Sequence, residues 1–111
     1  MSKSNLAERE CVPCEGTTEP LRGTALKALA IQLPDWDVVD GHHLRRTFKF
    51  PDFAQALAFV NRVGELAEKV GHHPDLHLSY GKATVEVWSH KAGGLTETDF
   101  VFAAKTDELP R

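Results

Sequence analysis

The stretch from residue 53 to residue 70 constrains the fold more than any other. Phe53, Ala56, Leu57, Val60, Val63, Ala67 and Val70 recur there at helical spacing, and Phe59 and Leu66 widen the stripe. Asp52 with Gln55 resembles a capping box at its start, and Gly71 supplies a residue tolerant of left-handed backbone at its end. A helix with so broad an apolar face needs a second layer to cover it, and the flanking sequence supplies that layer as strands.

Residues 36–39 and 44–50 read as two strands joined through Asp40-Gly41, a dipeptide that favours a hairpin. In the second of them Leu44, Arg46, Phe48 and Phe50 share one face, while Arg45, Thr47 and Lys49 share the other, so Arg46 alone interrupts an apolar side. Residues 76–80 and 83–90 read as a second pair turning at Gly81-Lys82. Leu76, Leu78 and Tyr80 alternate with Asp75, His77 and Ser79, then Ala83, Val85 and Val87 with Thr84, Glu86 and Trp88. A short helix is predicted over 24–33, with Thr24 as N-cap and Leu26, Leu29, Ala30 and Leu33 as its stripe, ended by Pro34-Asp35. After the loop Lys91-Ala92-Gly93-Gly94, the capping box Thr96-x-x-Asp99 opens a last helix to about Lys105. The order α-β-β-α-β-β-α predicts an α+β fold of two layers, a four-stranded antiparallel sheet with its helices on one face.

Residues 1–22, interrupted by Pro13, Gly16 and Pro20, read as a polar, loop-like N-terminal segment, and 23–111 as one domain, the number that 111 residues can support. A net charge of -3 offers no basic field for a phosphate backbone, so nucleic acid is not an expected partner. No apolar stretch approaches the ~20 residues needed to cross a bilayer. The start Met1-Ser2-Lys3-Ser4 does not lead into a signal-type hydrophobic region, and a cytoplasmic location with no membrane contact is expected. Cys11 and Cys14 form a lone CxxC flanked by Pro13 and Gly16. Without a second pair it cannot complete a structural zinc shell, and a turn with reduced thiols is the expected reading.

The chemistry-bearing feature is the doublet His72-His73-Pro74, which follows the long helix, with His90 at the end of the last strand and Asp99 beyond it. Imidazole, with an unperturbed pKa of ~6.5, gives and takes protons near neutrality. The topology brings the end of the long helix and the end of the last strand to one edge of the two layers, so the three imidazoles can serve one pocket. Pro74 keeps His73 extended.

Glu68-x3-His72-His73-Pro74-x5-Tyr80-x9-His90-x8-Asp99 resembles the signature of the pterin-4a-carbinolamine dehydratases. The resemblance covers nearly the whole chain after residue 20. It takes in Trp36-x-Val38-x3-His42, Asn61-Arg62-Val63 through Glu68-Lys69, and Gly94-Leu95-Thr96-x-x-Asp99. Three positions depart from the family pattern: Gly71 where Asp or Asn is common, Leu76 where an aromatic is common, and Ser89 where Thr often precedes the third histidine. The resemblance implies a dehydratase, a hydro-lyase that removes water from a 4a-hydroxytetrahydropterin to give the quinonoid dihydropterin in tetrahydrobiopterin recycling. It implies His72, His73 and His90 as catalytic residues. Glu68, Gly71, Pro74, Trp88, Ser89, Asp99 and Trp36 are implied as substrate-binding, with Trp36 equally suited to core packing. The pterin is the substrate and no cofactor or metal is needed, because the N5 lone pair supplies the electron push. An aromatic amino acid hydroxylase is the implied functional neighbour.

Two other readings are weighed beside this one. His73 and His77 with His72 and His90 contain enough nitrogen ligands for zinc, although His73 and His77 lie on an extended segment rather than one turn apart on a helix. A non-catalytic dimerisation or partner-binding role is known for some animal members of the family, and no residue pattern here is specific to it. The edges of an open sheet invite pairing, so a homodimer is expected, with a tetramer also compatible. His42, His43 and His77 read as solvated residues.

Overall fold

The computed structural model describes residues 5–11 and 19–111; Cys14 and the turn expected around it lie outside the described residues. After a short 3-10 turn, Asn5–Glu8, the elements are α1 (Gly23–Ala30), β1 (Asp37–Val39), β2 (His43–Lys49), α2 (Phe53–Val70), β3 (Asp75–Ser79), β4 (Lys82–Val87) and α3 (Glu97–Asp107). The α+β class and the α-β-β-α-β-β-α order are those the sequence predicts. The sheet is antiparallel throughout in the order β1-β2-β4-β3, so each hairpin contributes one central and one edge strand.

The hydrophobic pattern and the end signals agree along α2, whose bounds coincide with the predicted ones. Asp52 caps it by accepting the Gln55 backbone N–H at 2.9 Å, and Gly71 ends it at φ 73°. Its buried row is Ala56, Phe59, Val63 and Ala67, while Phe53 and Leu57 fall on the exposed margin of the stripe. Phe59 packs between Phe48 and Phe50, with ring centroids at 4.6 and 5.3 Å. Beneath it, Leu44 and Phe48 of β2 and Ala83, Val85 and Val87 of β4 turn inward by the period-two rule. Arg46, the charged residue on that inward face, reaches the edge of the core and donates to Asp107 at 2.7 Å.

Four local expectations are corrected. The first helix begins at Gly23 and is capped at Arg22 without a side-chain hydrogen bond, so Thr24 is inside the helix; Leu33 is buried beyond its end. Strand β4 stops at Val87 rather than at residue 90, because Ser89 leaves the ladder to bridge Gly94 while Gly93, at φ 72°, closes the loop. The second hairpin turns at Tyr80-Gly81, since Ser79 already pairs with Lys82. Finally, the N-terminal segment is not wholly loop-like: Leu6 and Ala7 are buried against the core, and Lys105 of α3 donates to the Ala7 carbonyl at 2.8 Å. That cover explains why α3 is buried almost all round, with Phe100, Val101, Phe102, Ala103 and Ala104 buried in succession. No helix among the described residues is long and apolar enough to cross a membrane.

Candidate active site

The end of α2 and the loop after β4 meet at one edge of the two layers. The αL turn at Gly71 releases the chain from α2 and presents His72 and His73. The Ser89–Gly94 bridge, with the Gly93 N–H bonded to the Ser89 carbonyl at 3.0 Å, presents His90 and Lys91. Gly94 must be small here, since a β-carbon on it would lie 2.9 Å from Pro20. The resulting cleft, of about 290 Å³, is lined by Gly71, His72, His73, Trp88, Ser89, His90 and Lys91. That volume sits at the lower end of the ~300–1,000 Å³ range for small-molecule sites.

Behind this cleft is a buried hydrogen-bond network centred on Asp99. Its side chain is 0% exposed, and His72, at 15%, places Nε2 at 2.6 Å from Oδ1. On Oδ2, Asp99 accepts from the Ser89 hydroxyl at 2.8 Å and from the Thr96 backbone N–H at 2.8 Å. The capping-box role read from sequence and a contact with the histidine cluster are therefore combined in one carboxylate. A carboxylate only accepts, so Nε2 of His72 is the donor in this contact and Nδ1 is the nitrogen turned away from Asp99. Phe102 backs the imidazole edge-on at 6.0 Å. Two packed contacts and the αL turn thus fix its direction.

His73 is differently placed. It is largely exposed, and its Nε2 lies 2.6 Å from Oε2 of Glu68, one turn back on α2, which is itself exposed. His90 is exposed and packs edge-on against Trp88 at 4.6 Å.

Of the residues singled out by sequence, the cleft gathers Gly71, His72, His73, Trp88, Ser89 and His90, with Asp99 and Glu68 each behind one imidazole. Pro74 follows the doublet without lining the cleft. Trp36 is not brought to it: its indole is buried, edge-on to Phe48 at 6.2 Å, and donates to Asp107 at 2.9 Å. Asp107 lies eight positions beyond Asp99, about 12 Å along α3. Of the four histidines considered for zinc, His77 lies apart from the cleft, turned to Glu86 at 3.1 Å. Among the described residues no three His, Cys, Asp or Glu side chains are grouped to hold a metal ion.

Three neighbours escaped the sequence reading. Lys91 lines the cleft, and His42 and His43 flank Trp88 with ring centroids at 5.3 and 5.6 Å. The signal that identifies the two histidines is the β2–β4 register, in which Leu44 faces Val87 and so brings His43 beside Trp88. That pairing joins strands separated by α2 and β3.

Comparison with known proteins agrees with this architecture. The family model for pterin 4 alpha carbinolamine dehydratase matches residues 19–109. A Rubrobacter xylanophilus protein named for the same family is 61% identical over 106 residues, spanning 96% of this chain and 99% of its own. One from Alkaliphilus metalliredigens is 50% identical, spanning 95% and 96%. Among solved structures, the transcriptional coactivator/pterin dehydratase from Brucella melitensis superposes with a TM-score of 0.74 at 32% identity, covering 80% of this chain and 96% of that one. A pterin dehydratase-like RuBisCO assembly factor of the alpha-carboxysome shares the fold, with a TM-score of 0.53 at 19% identity over 84% and 90% of the two chains. With the fold, the histidine cleft and these relatives in agreement, the chain belongs to the pterin 4 alpha carbinolamine dehydratase family, whose members are lyases of pterin chemistry.

Proposed function

We propose that this protein dehydrates 4a-hydroxytetrahydropterin to the quinonoid dihydropterin, with His72 and His90 as its proton carriers. The C4a–O bond breaks and the hydroxide leaves as water after taking a proton from one imidazole. The N5–H proton passes to the other imidazole, and the N5 electrons form the C4a=N5 double bond. Each positioned transfer of this kind contributes typically ~10² to 10⁴ in rate. The observation that carries the reading is the His72–Asp99 contact of 2.6 Å behind the cleft. It favours His72 as the base, because the buried carboxylate holds the tautomer whose Nδ1 is free to accept, and it leaves His90 as the acid. His73, steadied by Glu68, holds the substrate, and Trp88 offers an aromatic wall to a flat bicyclic ring.

The reaction fits a pterin recycling role beside an aromatic amino acid hydroxylase, and a location in the cytoplasm. We further propose a homodimer, because β3 is an edge strand and Tyr80, which directly follows it, stays exposed at 71%. Stopped-flow observation of freshly generated carbinolamine tests the activity. Quinonoid dihydropterin is expected to form well above the spontaneous rate, and formation at the spontaneous rate overturns the reading.

A further inference from the structure

The cleft wall formed by Trp88 has a support of its own. Trp88 follows the last residue of β4, is partly buried and packs in part against the core. Three imidazoles surround its indole: His42 at 5.3 Å, His43 at 5.6 Å and His90 at 4.6 Å. Of these, His42 ends the β1–β2 turn and His43 opens β2; in the turn Asp40 and Gly41 both adopt positive φ, 55° and 66°, and the His42 N–H closes on the Val39 carbonyl at 2.8 Å. The two rings are locked to each other, with Nδ1 3.1 Å from Nδ1 at an interplanar angle of 81°. One ring donates and the other accepts, so their relative orientation is defined. At the outer end Nε2 of His43 lies 3.8 Å from Glu86, which is itself held by His77 at 3.1 Å and Arg45 at 3.5 Å.

We propose that His42 and His43 are positioning residues for the dehydration: as an imidazole clamp where the β1–β2 turn enters β2, they fix the indole of Trp88 as the wall against which a flat, bicyclic heterocycle binds. The clamp acts on binding and not on proton transfer, because neither ring lines the cleft that holds His72 and His90. Aromatic contacts of this geometry are individually modest but directional, and a wall held in one rotamer spares the substrate the cost of ordering it. This inference rests on the reading of the cleft as the pterin site.

The test compares steady-state turnover of carbinolamine by His42→Ala/His43→Ala, His42→Phe/His43→Phe and His90→Ala. The alanine pair is expected to raise KM about fivefold with kcat within about twofold, the pattern of lost binding rather than lost chemistry. The phenylalanine pair keeps the ring contacts and is expected to bring KM back toward the parent value. In ¹H–¹⁵N spectra the indole N–H of Trp88, identified by its loss in Trp88→Phe, should shift in the alanine pair while that of Trp36 stays in place. An unchanged KM in the alanine pair, with turnover lost in His90→Ala, overturns the clamp and leaves the cleft assignment standing. Full turnover in His90→Ala overturns both. If the alanine pair does not fold, His42→Ala alone, which keeps the contact between His43 and Glu86, carries the same comparison.

Discussion

The carboxylate of Asp99, wholly withdrawn from solvent, holds the His72 imidazole at 2.6 Å while its second oxygen ties down Ser89 and the first turn of α3. One side chain thereby joins the last helix, the loop after β4 and the end of α2. A change at Asp99 is therefore felt in both stability and chemistry.

Asp99→Asn replaces one acceptor oxygen with a donor and sets it against groups that already donate. We expect a loss of about 3 kcal/mol in unfolding free energy, typical of breaking a buried charged contact. We also expect kcat to fall about 10²-fold because the His72 tautomer is no longer held. Ser89→Ala removes one donor from the same carboxylate and is expected to cost about 1 kcal/mol with kcat changed less than about tenfold. Chemical denaturation and single-turnover kinetics on the two variants check the contrast.

Gly71 tests how the doublet is aimed. At φ 73° an L side chain is strained although there is open space around it. Gly71→Ala is expected to lower stability by about 1 kcal/mol, and Gly71→Asn by less, because asparagine tolerates left-handed backbone. Thermal unfolding of both variants decides the order.

Much of this was legible in the sequence because local and global signals coincide. Helix α2 carries its cap, its stripe and its terminating glycine in consecutive residues, and each hairpin has its own alternation and turn. The gathering of His72, His73 and His90 follows from where those elements end. What was not legible depends on contacts between distant segments. Trp36 matched the family pattern, but its indole is drawn to Asp107, seventy-one residues away, at the far end of α3 from Asp99. Leu6 and Ala7 sit in a polar, proline-interrupted segment, and only the presence of α3 beneath them makes their burial favourable. His42 and His43 become neighbours of Trp88 only through the β2–β4 register.

Two carboxylates should leave opposite marks on the pH dependence of stability. Burial raises the Asp107 carboxyl above its ordinary 3.8, and hydrogen bonds from Trp36 and Arg46 with the charges of Arg46 and Arg111 only partly oppose it. Its unfolded form ionises first, so its contribution is most favourable at low pH and declines as pH rises through that window. For Glu86, burial also raises the carboxyl, but the hydrogen bond and charge of His77, the charge of His43 and a hydrogen bond from Arg45 together bring it below its ordinary 4.5. That contribution is present above 4.5 and is lost as pH falls through the lowered folded-state value. Melting curves between about pH 3 and pH 7 should show the parent losing ground to Asp107→Asn as pH rises, and gaining on Glu86→Gln.

Phe59 is the pivot of α2 on the sheet, fully buried between Phe48 and Phe50. Phe59→Ala is expected to cost about 3–5 kcal/mol, enough to threaten folding of a chain this small. Phe53→Ala, on the exposed margin of the same helix, should cost less than about 1 kcal/mol. Denaturant midpoints of the two variants test whether the buried row is the one described.

The most direct test of the central claim is the rate of quinonoid dihydropterin formation by His72→Ala and His90→Ala beside the parent protein, with melting temperatures measured in parallel. The account predicts a fold-preserving loss of about 10²-fold or more in each variant. Parent-like turnover in either one, from a protein that melts as the parent does, would contradict it.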